Sequence, residues 1–160
     1  MDLCLVGSEM CIRDRLYPGA LLKPEDNRWS NAPMHILFGE DDDYTPLSLC
    51  KKLIDYMKPA RDVELTVYPN AHHSFDSIDP VEFIPYAIKL KDMFIDLKKD
   101  GRQVYTDENN NTFYLDNKEE RFRLIKETPN LLGAHAGGNW TARRQSHQDV
   151  VDFFSKQFFS

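Results

Sequence analysis

Met34-His35-Ile36-Leu37-Phe38-Gly39-Glu40-Asp41-Asp42-Asp43-Tyr44-Thr45-Pro46 decides the fold class of this chain. Its first five residues are mostly apolar, lack clean alternation and stop at Gly39, the pattern of a central strand buried on both faces. Glu40 to Thr45 follows as a polar turn. Thr45-Pro46 then opens a helix: threonine accepts a bond from an early helical amide, and proline at the first helical position lacks a donor that had no partner anyway. Leu49, Cys50, Leu53, Ile54 and Met57 recur at helical spacing, and Lys58-Pro59 ends the stripe. Val63, Leu65 and Val67 alternate with Glu64, Thr66 and Tyr68, marking a second strand that stops at Pro69. Strand, crossover helix and strand make a βαβ unit, hence two parallel strands in an α/β fold.

Outside this unit the signals are more varied. Leu16 to Pro33 contains three prolines and no sustained period, so a loop is expected. Pro80 to Lys99 is predicted to be largely helical, with Phe83, Ile84, Ala87, Ile88, Phe94, Ile95 and Leu97 on its apolar side. Pro85 would kink that helix or mark its first turn, and Gly101 would end it. Val104-Tyr105-Thr106 and Thr112-Phe113-Tyr114-Leu115 flank Asp107 to Asn111 as a hairpin with a polar loop. Asp116-Asn117 reads as a turn, and Lys118 to Lys126 as a short helix. Thr128 to Asn139 is expected to be a glycine-rich loop. Ala142 to Phe159 is predicted as a terminal helix with Val150, Val151, Phe154 and Phe158 on one side.

The 160 residues suffice for one ordinary domain, and 41% hydrophobic residues can supply a core. A formal net charge of −6 argues against a nucleic-acid partner, which would need a basic patch or stripe. No apolar run reaches the roughly 18 residues that a membrane span requires. Cys4, Cys11 and Cys50 have no metal-ligand spacing and cannot all pair, which fits a reducing compartment such as the cytoplasm. The first fifteen residues lack the basic and apolar regions of a secretory signal. Gly7 to Arg15, GSEMCIRDR, resembles the translation of an adapter used in DNA library preparation. On that reading residues 1–15 are foreign, and residues 16–160 are the C-terminal portion of one domain.

Two short motifs close the two parallel strands: Gly39 to Pro46, and Tyr68-Pro69-Asn70-Ala71-His72-His73-Ser74-Phe75-Asp76. Ligands of open parallel sheets bind beyond the carboxyl ends of the strands, so both motifs fall where a site belongs. A histidine base needs an acid that holds its ring in one tautomer and stabilises the imidazolium formed on proton transfer. An aspartate and a histidine on adjacent strand ends meet that need, and acid before histidine is the α/β-hydrolase order.

Glycine, two residues, aspartate, three residues, proline, seen as Gly39, Asp42 and Pro46, resembles the acid loop of the dienelactone hydrolase family. Tyr68-Pro69-x-Ala71-x-His73-x-Phe75 is similar to the histidine loop of the same family. Asn139-Trp140-Thr141-Ala142 through Asp152-Phe153-Phe154 resembles its closing helix, and Tyr17-Pro18-Gly19 an upstream segment. The resemblance covers roughly residues 16–76 and 139–158, and about 77–138 reads as an insertion. It implies the C-terminal part of an α/β-hydrolase sheet, with an inserted helix and hairpin. It also implies Asp42 as the triad acid and His73 as the general base. Small-molecule ester, lactone or related acyl substrates would be cleaved without cofactor or metal. Asp41 and Asp43 then read as solvated turn residues and His72 as a packing residue.

The remaining histidines read as structural or solvated. His135, between glycines, is the rival to His73, but it lies far in sequence from the strand end that the acid predicts and is expected in a mobile surface loop. His35 is expected inside the buried strand, and His147 on the outside of the terminal helix. No G-x-S-x-G elbow or cysteine counterpart occurs, and every serine from Ser48 onward follows the acid, against the family order. The chain is therefore expected to lack the nucleophile, to leave an open sheet edge and to show no esterase activity alone. A metal-binding module built on Asp41, Asp42, Asp43, His72 and His73 is the rival from another class, although the run lacks a calcium loop's glycine and terminal glutamate. A non-catalytic hydrolase-like interaction domain is a third reading.

Overall fold

The computed structural model describes residues 13–16, 21–26, 32–58, 62–89, 91 and 93–159, the first four as backbone. Arg13–Leu16 (β1), Met34–Gly39 (β3) and Val63–Tyr68 (β4) form one parallel sheet with β3 in the middle. The expected βαβ unit is present: β3 and β4 pair in parallel from Met34 opposite Val63 to Gly39 opposite Tyr68. Leu47–Met57 (α1) is the crossover between them.

All six residues of β3 are buried, and the period-two geometry of a strand divides them between two layers. Met34, Ile36 and Phe38 pack with Cys50, Ile54 and Met57 of α1. Leu37 packs on the other face with Tyr68, Ala71, Phe75 and Ala142. His35 shares that second face, its ring 5.2 Å from Phe153. Ala142 and Phe153 belong to Trp140–Phe159 (α3), so the sheet lies between α1 and α3.

The terminal helix forms where expected, but its buried side differs. Ala142, Ser146 and Phe153 are buried while Val151 and Phe158 are exposed. The Tyr68 hydroxyl donates to Asp149 Oδ2 at 2.6 Å, and this tie from β4 helps set the rotation of the helix. Asn139 caps it by accepting from the Thr141 and Ala142 amides.

The sheet expected to have two strands has three, because β1 adds beside β3 with Arg13 opposite Met34 and Arg15 opposite Ile36. The edge of β3 offers a row of unpaired amides and carbonyls that an extended segment can fill. Residues read as adapter in the sequence therefore include part of this strand; residues 1–12 lie outside the described ones.

The segment 80–99 is not a helix. Glu82–Ile88 (β5) pairs antiparallel with Leu132–Ala136 (β9), and Ile95–Leu97 (β6) joins a second sheet. The apolar residues at 83, 84, 87 and 88 suit a helix as well as a strand, but the Pro85 ring removes a helical donor. It falls instead where the β5–β9 register shifts between Ile84 and Ile88, the kind of place a strand tolerates proline. β9 likewise replaces the loop expected over Thr128 to Asn139. Phe83, Ile84, Tyr86 and Ile88 of β5 and Leu132 of β9 remain exposed.

Leu22–Pro24 (β2), β6, Gln103–Thr106 (β7) and Thr112–Tyr114 (β8) make the second sheet, in the order β2-β6-β7-β8. Its β7–β8 hairpin is the predicted one, with the Asp107 carboxylate accepting the Asn109 and Asn111 amides inside the loop. Lys118–Glu127 (α2) follows, capped by Asn117. Met93, Ile95, Phe113, Leu115, Leu124 and Leu131 form the core of this part.

Candidate functional site: an acid–histidine pair at two strand ends

The acid loop leaves β3 at Gly39 and runs directly against the loop that leaves β4. The Glu40 amide donates to Tyr68 O at 2.9 Å and the Asp41 amide to Ala71 O at 3.0 Å. A Cβ on Gly39 would fall 2.2 Å from Ala71 O, so only glycine permits this approach. Asn70 at φ 53 and Ser74 at φ 59 turn the second loop so that it lies alongside the first. Two parallel strands thus deliver their carboxyl-terminal loops to one place, as βαβ topology requires.

Asp42 is buried in this junction, its carboxylate fully enclosed by donors. Oδ1 accepts the Tyr44 amide at 3.0 Å and the Thr45 amide at 2.7 Å. Oδ2 accepts the Thr45 hydroxyl at 2.9 Å and lies 2.9 Å from His73 Nδ1. A buried carboxylate without such partners would cost several kcal/mol. With them it is held in one rotamer, aimed at one ring nitrogen. Thr45 Oγ1 is also 3.3 Å from His73 Nδ1, and the Tyr44 ring meets His73 edge-on at 4.6 Å between centroids. An ionised Asp42 accepts from Nδ1–H, which assigns the proton to Nδ1 and leaves Nε2 as the basic nitrogen.

Asp42 and His73, the two residues singled out in the sequence, are therefore brought together. Thr45 was missed in this role. Its expected function as a helix cap is not what the structure contains: Pro46 occupies the cap position with no side-chain bond, and the Thr45 hydroxyl turns to Asp42 instead. The Asp42-x-x-Thr45 spacing is itself the signal, since an aspartate readily accepts from amides two and three residues on.

Asp43 and His135 correct two more expectations. Asp43 is not merely solvated: its Oδ1 accepts the His135 amide at 2.7 Å, and its Oδ2 lies 3.0 Å from His135 Nδ1. Lys89 Nζ is 3.5 Å from the same oxygen. Partial burial pushes the Asp43 carboxyl up, but the two His135 bonds and the charges of His135 and Lys89 outweigh it and hold the group below the usual aspartate range. His135 sits in β9, not in a surface loop, with its ring 5.2 Å from Phe83 and 5.5 Å from His72. Its flanking glycines mark His135 in the sequence, but nothing near it points to Asp43, which lies 92 residues away.

The other candidates separate from the site. His72 packs against His135, and its Nδ1 is buried with no hydrogen-bond partner among the described residues. Buried His35 bonds Thr66 Oγ1 through Nε2 at 2.9 Å, and His147 is exposed on α3. Asp41 is exposed, Asp42 serves His73 and Asp43 serves His135, so the five residues of the metal reading do not converge. Among the described residues no group of three or more His, Cys, Asp or Glu side chains is arranged to hold a metal ion. Cys50 lies in the core against β3, and burial pushes its thiol up to about 12. Ser146 is buried and donates to Arg143 O, while Ser77 donates to Asp79.

No helix of the described residues is long and apolar enough to cross a membrane. No protein-family model, curated protein or solved structure matches the chain. The fold is thus defined at the level of mixed α/β, and the site at the level of a buried carboxylate–imidazole pair.

Proposed function

We propose that the chain is the acid-and-histidine portion of an α/β-hydrolase resembling the dienelactone hydrolase family, cleaving esters, lactones or related small acyl substrates through a Ser/Cys–Asp–His triad. The observation that carries this reading is the Asp42–His73 contact of 2.9 Å, with the carboxylate buried at the ends of two parallel strands. Its support is physical. Asp42 holds the proton on Nδ1 and Nε2 is left to act as base, taking a proton from a serine or cysteine and returning it to the leaving group. The imidazolium formed in between is stabilised by the enclosed carboxylate, and water then releases the acyl group. The nucleophile and the oxyanion donors are not among this chain's residues in the sequence pattern the family uses. The enzyme reading therefore concerns the chain joined to a nucleophile-bearing segment.

The deciding experiment joins the chain to its upstream coding sequence and follows hydrolysis of short p-nitrophenyl esters and lactones. Turnover that disappears in His73→Ala and Asp42→Ala supports the proposal. An upstream sequence with neither serine nor cysteine at a strand-to-helix elbow, or activity indifferent to His73, overturns it.

A further inference from the structure

The acid loop presents two aspartates in succession to two different elements. Asp42 faces His73, whereas Asp43 reaches β9 and holds His135 by both its main-chain amide and its ring. Gripping a residue at two points fixes the direction of its strand as well as its position. Past His135 the same strand meets the histidine loop from outside. Ala136 bridges His73, the Gly137 amide donates to His73 O at 2.8 Å, and the Asn139 amide donates to Phe75 O at 2.9 Å. The fit is close: a Cβ on Gly137 would lie 2.3 Å from Pro80 O, and one on Gly138 2.1 Å from Ser77 O. Ser74, next to His73, has φ 59, an unfavourable conformation that surrounding bonds must hold.

We infer that Asp43 is a positioning residue for His73: by gripping His135 it docks the β5–β9 ribbon on the acid loop, and the docked ribbon fixes the His73 main chain where its ring meets Asp42. Two consecutive carboxylates then divide one task, Asp42 orienting the imidazole and Asp43 anchoring the strand that braces its backbone. As a contribution to catalysis this rests on the hydrolase reading; as a mechanical coupling between the two pairs it does not.

The test uses the 160-residue chain with ¹⁵N-labelled histidine, observed by NMR at mildly alkaline pH together with amide hydrogen exchange. In the unaltered chain His73 carries its proton on Nδ1. Asp43→Ala is expected to convert His73 to a mixture of tautomers and to speed Gly137 amide exchange roughly tenfold or more, with the β3 amides unchanged. His135→Phe, which keeps the amide and the ring shape, should shift both signals less and in the same direction. Faster Gly137 exchange with an unchanged His73 tautomer overturns the coupling, as does no change in either. If Asp43→Ala also exposes the β3 amides, the chain has unfolded and His135→Phe decides by the same two signals. In the nucleophile-completed enzyme, Asp43→Ala should lower kcat about tenfold with KM unchanged. A completed enzyme that is inactive while the tautomer coupling persists sinks the hydrolase reading and supports this one. An active enzyme indifferent to Asp43, with an unmoved tautomer, sinks this one alone.

Discussion

The two aspartate–histidine pairs share a loop and nearly the same ring-to-carboxylate distance, 2.9 Å for Asp42–His73 and 3.0 Å for Asp43–His135. They differ in surroundings. The inner side chains are 0% and 15% exposed for Asp42 and His73, against 33% and 44% for Asp43 and His135. Inside, both oxygens of the carboxylate are held by neighbouring main-chain amides and the Thr45 hydroxyl, so the ring meets a fixed partner. Outside, water and Lys89 compete, and part of the grip is on a main-chain amide. The same chemical pair thus suits proton transfer where it is enclosed and suits fastening where it is wet. Distance alone does not tell the two apart.

The sharpest way to break that contrast is kinetic. In the nucleophile-completed enzyme, His73→Ala should lower kcat by about 10⁶-fold, the scale for losing a triad histidine, whereas His135→Ala should cost no more than about tenfold. Equal losses in ester turnover would erase the distinction. Stability offers the next test. Asp42→Ala leaves the Thr45 hydroxyl, two amides and His73 without their acceptor, and should lower unfolding free energy in urea by about 3 kcal/mol.

Gly39→Ala probes the inner pair by geometry instead of charge. Its Cβ would press on Ala71 O and push the acid loop off the histidine loop, costing about 1–3 kcal/mol in the same urea experiment. The His73 tautomer should become mixed, and the His135 amide, which donates to Asp43 of the same loop, should lose protection with it. A mixed His73 tautomer with an unmoved His135 amide would mean that the two pairs form independently.

The smallest effect belongs to Asp43 and to acid. Its folded carboxyl lies below the usual value, so its contribution is fully present above the unfolded-state pKa of about 3.9 and is lost as pH falls through the lower folded value. The stability difference between the chain and Asp43→Asn should shrink as pH falls through that window. A difference that persisted unchanged below that window, in urea titrations at successive pH values, would reverse the assignment of His135 and Lys89 as its partners.

Much of the inner half was legible because its signals are local. The apolar run at 34–38, the stripe of α1 and the alternation at 63–67 each report a period, and short connections between parallel strands leave one handedness. The strand ends then bring Asp42 and His73 close together. The outer half was not legible for the opposite reason. Residues 82–88 fit a helical stripe as readily as a strand, and only pairing with β9 together with Pro85 selects the strand. α3 was foreseen as a helix but its face was not, because Val151 and Phe158 are as apolar as Phe153 and only the sheet and Asp149 choose between them.

The sequence by itself determined the βαβ unit and put an aspartate run and a histidine loop at its two strand ends, since spacing along a chain encodes both, while the choice of Asp42 among the aspartates rested on the resemblance. Only the tertiary structure decided that Thr45 serves the acid instead of the helix, that Asp43 has a histidine of its own, and that β9 braces the loop of His73. Those are contacts between residues far apart in the chain, and their energies depend on burial and on competing donors that no local pattern records. Spacing placed Asp42 and His73 at adjacent strand ends, and packing made one pair enclosed and the other exposed.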